Sequence, residues 1–551
     1  MLAYRTIAVL FIGLFIQKNS FCQTNESILP QSFSYNDFSL DEIVAVEFNE
    51  QIPTNTSSIL AKNSLPKAGY CLPVDIDLRE HATQKNIGGK IVYFTKIKST
   101  TAKGLVPYFD QFSLAEGATL HVYSIDKKDR SGAFTKDNTS PTGFYCTGFI
   151  NSKEIVFEYC PSSSQNNLDK LHINEMGIAT TVLPQKRASR EFGDAESCEV
   201  NVNCSEGAKY NLEKQAIVRI LVKAGADFGW CTGTLINNTN QDCTPYVLAA
   251  DHCSIADNGN YASNSDFSQW VYYFNYQSPT CTNPVIEGVL ANQFITGSTR
   301  MAYSNDNGGD TGSDFLLTKL NVSPPALYNA YFAGWNRANT LPDSGACIHH
   351  PSADIKKIST YKGGLFTASW GGSVLASHMG LLWVSTANGW GVTEGGSSGS
   401  PLFDKDKMVV GTLTGGGSLC ADHTQEDFYG RMFYHWDKNG TIASRQLKPW
   451  LDPNNTGAVS LAGRGVCGGV SVDEVNVEKV ESLVYPNPSN GTFFITTKSY
   501  ETLTIYSIDG KLVFQTNVPQ SVLKITDLAT GIYLLKAKTT TGILTQKIVV
   551  Q

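Results

Sequence analysis

Between residues 191 and 465 the apolar residues come in short runs, each cut off by glycine, serine, threonine or asparagine. That texture limits the fold more than any other feature. AIVRILV at 216–222, YVLA at 246–249, WVYYFNY at 270–276 and MVVGTL at 408–413 are typical. Such runs suit a strand and are too short for a helix, and repeats at helical spacing are scarce, so the pattern predicts an all-β sandwich or barrel.

The flanking segments divide the rest of the 551-residue chain, which is too long for one ordinary core. Residues 1–22 read as a signal peptide. Arg5 precedes the eleven-residue run TIAVLFIGLFI, which falls short of the roughly 20 residues a membrane helix needs, and cleavage after Cys22 leaves Gln23 first. No later stretch is long and apolar enough to span a bilayer. Residues 23–190 form a β-rich unit, with KIVYF at 90–94, TLHVY at 119–123 and EIVFEY at 154–159, and carry no catalytic constellation. They read as a pro-region, ending in a stretch where Lys186, Arg187 and Arg190 offer a processing site. The third unit spans 191–465, an acidic linker 466–482. Residues 483–551 alternate strands with turns, Asp509-Gly510 being a hairpin signal. A net charge of −7 argues against a nucleic-acid partner. Nine of the 13 cysteines fall between Cys198 and Cys467, which in an exported chain means disulfides. No CxxC pairs stand at zinc-finger spacing, and neither a metal nor a cofactor is expected.

Three strings inside 191–465 carry chemistry. GGSSGSP at 395–401 sets Ser398 among small residues. A nucleophilic serine needs a backbone that turns sharply and aims N–H groups at the substrate oxygen, and here those of Gly396 and Ser398 would form the oxyanion hole. A flexible Gly/Ser loop has the same composition. YVLAADHC ends an apolar strand at His252, followed by Cys253. Cys231, 22 residues earlier in CTGTLI, is the natural partner of Cys253, and a strand end fixed by a disulfide mounts a general base firmly. GSDFLLTKL opens a strand at Asp314, where a carboxylate can accept the Nδ1–H of a histidine, fixing its tautomer and stabilising imidazolium. Asp306 and Asp310 compete by composition, but their polar loop NDNGGD has no buried strand to hold them and fits no calcium spacing. Asp251 reads as a surface or edge residue without a role. The order His252, Asp314, Ser398 is that of chymotrypsin-like enzymes, not of subtilisin-like enzymes or α/β-hydrolases.

Residues 197–457 resemble bacterial lysyl endopeptidases, a branch of the chymotrypsin-like double β-barrel peptidases. The matching strings include SCEVNVNC, CTGTLINN, YVLAADHC, SDFLLTKLN, HHPSADIKKIS, GVTEGGSSGSP, DFYGR and WLDPNNTG. The resemblance implies a triad of His252, Asp314 and Ser398, and disulfides Cys198–Cys420, Cys204–Cys281 and Cys231–Cys253. Cys243, Cys347 and Cys467 are left without assigned partners. Val392 stands six residues before Ser398, where trypsin has its specificity aspartate. The resemblance instead puts Asp427 at the base of the pocket, which implies cleavage after lysine. Thr414, Gly415 and Gly416 match the segment that pairs with substrate backbone, and Trp370 matches an aromatic near the site. Thr414 replaces a histidine that stacks on that tryptophan in the best-known members. His349 and His350 are structural on this match. Ser397 occupies the place of trypsin's activation aspartate, so that switch is missing. Residues 483–551 resemble the C-terminal sorting domain of type IX secretion, through VYPNPSNGTFFI, DLATGIYLLKA and KIVVQ. That implies a β-sandwich, a partner in the type IX machinery, and passage through the periplasm to the exterior or outer-membrane surface. The expected substrates are proteins or peptides. A broader Lys/Arg preference, and an inactive adhesin on a protease fold, remain alternative readings.

Overall fold

The computed structural model describes residues 28–34, 39–48, 50, 64–162, 169–180, 192–284, 293–465, 484–496, 502–507, 511–518, 522–539 and 542–550. Residues 1–22, expected to be a signal peptide, the basic stretch around Lys186, Arg187 and Arg190, the expected linker 466–482 with Cys467, and the Asp509-Gly510 dipeptide lie outside them. The chain is mainly β. Among the described residues no α-helix exceeds six residues, as the scarcity of helical periodicity predicts. Two compact units divide it, residues 1–469 and 470–551.

In the first unit, Ile217–Ala224 and Asp227–Leu235 form a hairpin buried along its whole length. Tyr246–Ala249 pairs with the second strand, Leu316–Leu320 pairs with Tyr246–Ala249, and Ser298–Tyr303 follows. On the other flank come Val271–Tyr273 and Phe294–Thr296. The two ends of this strip, Phe294–Thr296 and Ser298–Tyr303, are joined through Gly297 alone, at φ +90°, so the sheet nearly closes into a barrel. The strand predicted at 270–276 stops at Tyr273, because Asn275 adopts the left-handed conformation.

The second barrel orders its strands Lys357–Lys362, Ser344–His349, Pro401–Asp404, Val409–Gly416, Asp427–Arg431 and His378–Leu381. Val384 N–H reaches back to the Thr360 carbonyl at 3.0 Å and brings its ends together.

Strands from 64–180 continue the first sheet. Lys67–Asp77 pairs with Asp227–Leu235, then Lys170–Ala179 and Gly104–Ser113 add on. Apolar residues of both segments share one core, with Phe109, Phe112 and Tyr108 packed beside Phe228, Trp230, Tyr273 and Phe294. A second sheet of this region contains the predicted strands as Lys90–Lys98, Thr119–Ser124 and Glu154–Cys160.

The unit 470–551 has a three-stranded and a four-stranded antiparallel sheet on a common core of Val484, Phe493, Ile495, Leu503, Leu535 and Ile548.

Candidate active site

His252 lies in the tight turn Asp251–Ser254 directly after Tyr246–Ala249, and Asp314 lies just before Leu316–Leu320. Those strands pair with Ala249 opposite Leu316, which brings the two residues together across 62 positions of sequence. Asp314 grips His252 with both oxygens: Oδ2 is 2.8 Å from the ring Nδ1, and Oδ1 accepts the backbone N–H at 2.9 Å. Burial alone would raise this carboxyl. The charge of His252 and its two hydrogen bonds outweigh burial, with help from the Thr414 hydroxyl, and hold the group below the usual carboxylate range.

Asp314 is itself in the left-handed region, φ +58°. Its N–H donates to Asp306 Oδ2 at 2.8 Å, and Asp306 Oδ1 accepts the Gly309 N–H at 2.9 Å. Asp306 is therefore buried and holds the turn that presents Asp314, against the expectation that nothing anchors it. Asp310, the other competitor, is half-buried and accepts from the Asn307 side chain at 2.9 Å. Asp251 corrects a second expectation. It is fully buried, its Oδ2 accepting from the Tyr261 hydroxyl at 2.8 Å. Burial, then the charges of Asp306 and Asp314, push its carboxyl well above the ordinary value.

Ser398 sits in a turn between two strand edges. Its carbonyl accepts the Thr232 N–H at 2.9 Å, and on the other side Gly399 N–H donates to the Leu413 carbonyl at 2.8 Å. Gly396 and Gly399 have φ of +96° and +81°. A Cβ on Gly396 would lie 2.8 Å from the His350 carbonyl, and one on Gly399 would lie 2.6 Å from that of Thr232, so the turn accepts only glycine there. Among the described residues neither the Gly396 nor the Ser398 N–H has a backbone acceptor. The Cys253 sulfur, next to His252 and bonded to Cys231, is 3.8 Å from the Ser398 carbonyl. One bridge thus ties the histidine turn to the strand that holds the serine turn. The other disulfides are Cys198–Cys420 and Cys204–Cys281. Cys243 is also disulfide-bonded, whereas Cys347 is a buried free thiol pushed up to about 12 by burial.

Asp427 is fully buried at the head of its strand. Oδ2 accepts from Trp383 Nε1 at 2.6 Å, Thr393 Oγ1 at 2.7 Å and Ser418 Oγ at 2.6 Å, and Oδ1 from the Ser418 N–H at 3.2 Å. Burial raises its carboxyl against the pull of those donors, and no lysine or arginine pairs with it among the described residues. Gly416 lies directly opposite, where a Cβ would stand 2.0 Å from Asp427 Oδ1. The neighbouring strand Pro401–Asp404 reaches only Thr412, so Thr414, Gly415 and Gly416 project past it. Trp370 lies across Gly415 rather than Thr414, since a Cβ on Gly415 would be 3.1 Å from its ring. Thr414 sits where the register shifts between Leu413 and Gly415, its hydroxyl 3.1 Å from His378 Nε2. Val392 packs in the second barrel's apolar core. His349 bonds Ser397 Oγ through Nδ1 at 2.8 Å and Ser359 Oγ through Nε2 at 3.1 Å, while His350 Nδ1 meets the Asp354 carbonyl at 2.9 Å.

Sequence reasoning passed over Asp306, Asp251, His378 and His435. The last fills the space behind Ser313 with Nδ1 2.8 Å from its hydroxyl. Only the first had a usable signal, a run of Asn and Asp rich in side-chain-to-backbone turns.

The site thus consists of a bonded histidine–aspartate pair on the first barrel and a glycine-rich serine turn that the Thr232 amide fastens to the same barrel. Residues 192–430 match the family model "Lysyl endopeptidase, C-terminal domain". Residues 483–551 match the secretion system C-terminal sorting domain. A lysyl endopeptidase of Pseudomonas aeruginosa is 31% identical over 270 residues, covering 47% of this chain and 53% of that protein. The chain thus spans about half the length of that relative. A secreted RxLR effector protein of Plasmopara viticola is 29% identical over 332 residues, covering 57% of this chain and 75% of that protein. Among solved structures, the protease Anisep from Arthrobacter nicotinovorans is 15% identical with a TM-score of 0.28, covering 40% of this chain and 91% of its own.

Proposed function

We propose that this chain is a secreted endopeptidase that cuts peptide bonds on the carboxyl side of lysine. His252 takes the proton of Ser398 Oγ as it attacks the scissile carbonyl, then gives it to the leaving amine. Asp314 keeps the ring in the Nδ1–H tautomer and stabilises imidazolium. The N–H groups of Gly396 and Ser398 receive the developing oxyanion, each such donor being worth about 2.7–4 kcal/mol. Water then repeats the sequence on the acyl-enzyme. The substrate adds to Thr414–Gly416 as a strand beside Trp370.

The observation that carries the lysine reading is Asp427, a buried carboxyl with four donors and no cation among the described residues. An ammonium on the substrate supplies the missing charge, and a compact ammonium fits a narrow pocket better than a guanidinium. Residues 23–190 act as a pro-region, and 483–551 direct export by the type IX machinery through the periplasm to the exterior or cell surface.

A serine-directed fluorophosphonate should label the wild-type chain and not Ser398→Ala. Cleavage sites mapped on a denatured protein should carry lysine on the amino side. Absence of labelling would overturn the enzyme reading, and cuts spread over other residues the specificity.

A further inference from the structure

The strand Asp227–Leu235 holds two things on one edge. Thr232 N–H donates to the Ser398 carbonyl at 2.9 Å, and two residues earlier Trp230 N–H donates to the Pro66 carbonyl at 3.1 Å. Groups two residues apart on a strand point the same way and lie about 6.8 Å apart, so the segment from Leu65 runs beside the nucleophile turn. On its other side Leu65 N–H donates to the Ile255 carbonyl at 2.9 Å, and Ile255 N–H in turn reaches the His252 carbonyl at 3.1 Å. From there Lys67 stands opposite Gly229, Gly69 opposite Phe228 and Tyr70 opposite Asp227. The segment therefore moves away from Ser398 with its N-terminal end nearest, the direction taken by the portion of a peptide that follows a cut.

The fit is close and charged. A Cβ on Gly229 would lie 2.0 Å from the Pro66 carbonyl, so this strand must stay bare for the segment to approach. Lys67 is buried, with its ammonium 2.5 Å from Asp227 and 2.8 Å from Asp257, and 3.7 Å from the Tyr70 ring centre. Asp257 N–H also donates to Asp227 Oδ2 at 3.0 Å, which fixes the two carboxylates as a pair. Since the Ser398 turn is flanked by Thr414–Gly416 on one side and by this edge on the other, a peptide laid along the first and crossing the serine arrives at the second.

We propose that the edge at Asp227–Trp230, with the Ile255 carbonyl and the Asp227/Asp257 carboxylates, is the subsite for the peptide beyond the scissile bond, selective there for a basic side chain, and that Leu65–Gly69 fills it in cis. This rests on the serine endopeptidase reading above. In the intact chain the leaving-group side of the cleft is closed by the chain's own N-terminal segment, while among the described residues no strand pairs with the free edge of Thr414–Gly416 on the side before the cut. Small lysyl amides, which have almost nothing beyond the bond, pass this block, and extended peptides compete with it.

The full-length chain is assayed on a lysyl 4-nitroanilide and on an internally quenched peptide with lysine at its centre. In Lys67→Glu, kcat/KM for the long peptide should rise by about tenfold or more, while the nitroanilide stays within about twofold. Lys67→Gln, which removes the charge without reversing it, should move the ratio the same way and guards against a folding defect in the first variant. An unchanged ratio in both variants overturns the proposal. Lysine scanned through the positions after the cut, in the Lys67→Gln background, should show one preferred position whose advantage disappears on adding Asp257→Asn. Equal rates at all positions also overturn it. If no variant cleaves either substrate, the enzyme reading is what fails, and amide hydrogen exchange at Leu65 and Trp230 then decides the contact: faster exchange in Lys67→Glu supports it, equal exchange refutes it.

Discussion

Replacing Asp427 by asparagine removes one charge and keeps nearly the same shape, so it isolates what that charge contributes. In the wild type the carboxyl takes hydrogen bonds from Trp383, Thr393 and twice from Ser418, and among the described residues no lysine or arginine pairs with it, so on the proposed reading its counter-charge comes with the substrate. Asparagine cannot accept on its nitrogen, so at least one of those donors faces an NH2 group and the pocket floor loses a bond as well as its charge. Breaking a buried charge pair by removing one partner costs about 3–5 kcal/mol, which translates to roughly two to three and a half powers of ten in kcat/KM for a lysine substrate. A substrate with methionine in place of lysine makes no such pair and should lose little or even gain. The assay is therefore the ratio of kcat/KM for two quenched peptides identical except for lysine or methionine before the cut, with a thermal melt to show that the variant is folded. A folded Asp427→Asn whose lysine-to-methionine ratio stays within about threefold of wild type, well short of the loss expected for a broken buried pair, would refute the assignment of Asp427 to the pocket.

Asp306→Ala removes the acceptor for the Asp314 and Gly309 N–H groups, so the left-handed turn loses its anchor. Its kcat should fall about 10–100-fold through misplacement of Asp314, with KM for a small amide little changed. Gly416→Ala places a methyl 2.0 Å from Asp427 Oδ1, so steady-state assays should show lysine cleavage largely lost and a melt should show a lower Tm. His435 is buried and bonded to Ser313 and Thr412, and burial, then the nearby His378, push its ring down to about 3. The unfolded chain protonates this ring below about 6.5 and the folded chain does not until about 3, so the group costs stability as pH falls through that window. At pH 5 the cost is about 2 kcal/mol, and in His435→Gln the loss of unfolding free energy between pH 7 and pH 5, read by urea titration, should shrink by about that amount.

Most strands were legible because their apolar runs and turn residues are local signals. The residues 216–222 and 246–249 appear within or at the bounds of the hairpin and its neighbour. The His252–Asp314 contact was legible for a different reason: each stands at the end of an apolar strand that could mount it, and the expected order His252, Asp314, Ser398 is shared with one enzyme class. Asp251 and Asp306 were misjudged because polarity in sequence says nothing about which polar loop the fold covers. Their burial comes from Tyr261 and the Asp314 turn folding over them, contacts set by tertiary packing. Nor does any local pattern announce that Lys67–Asp77 pairs with a strand some 150 residues later; strand partners are chosen by register and shared core, not by proximity in the chain.

The bridge between Cys231 and Cys253 has a consequence for timing. One of its cysteines follows His252, and the other precedes Thr232, whose amide fastens the serine turn. While thiols are kept reduced, those two mounts are not linked. The scaffold that carries both residues is therefore completed only where thiols can oxidise.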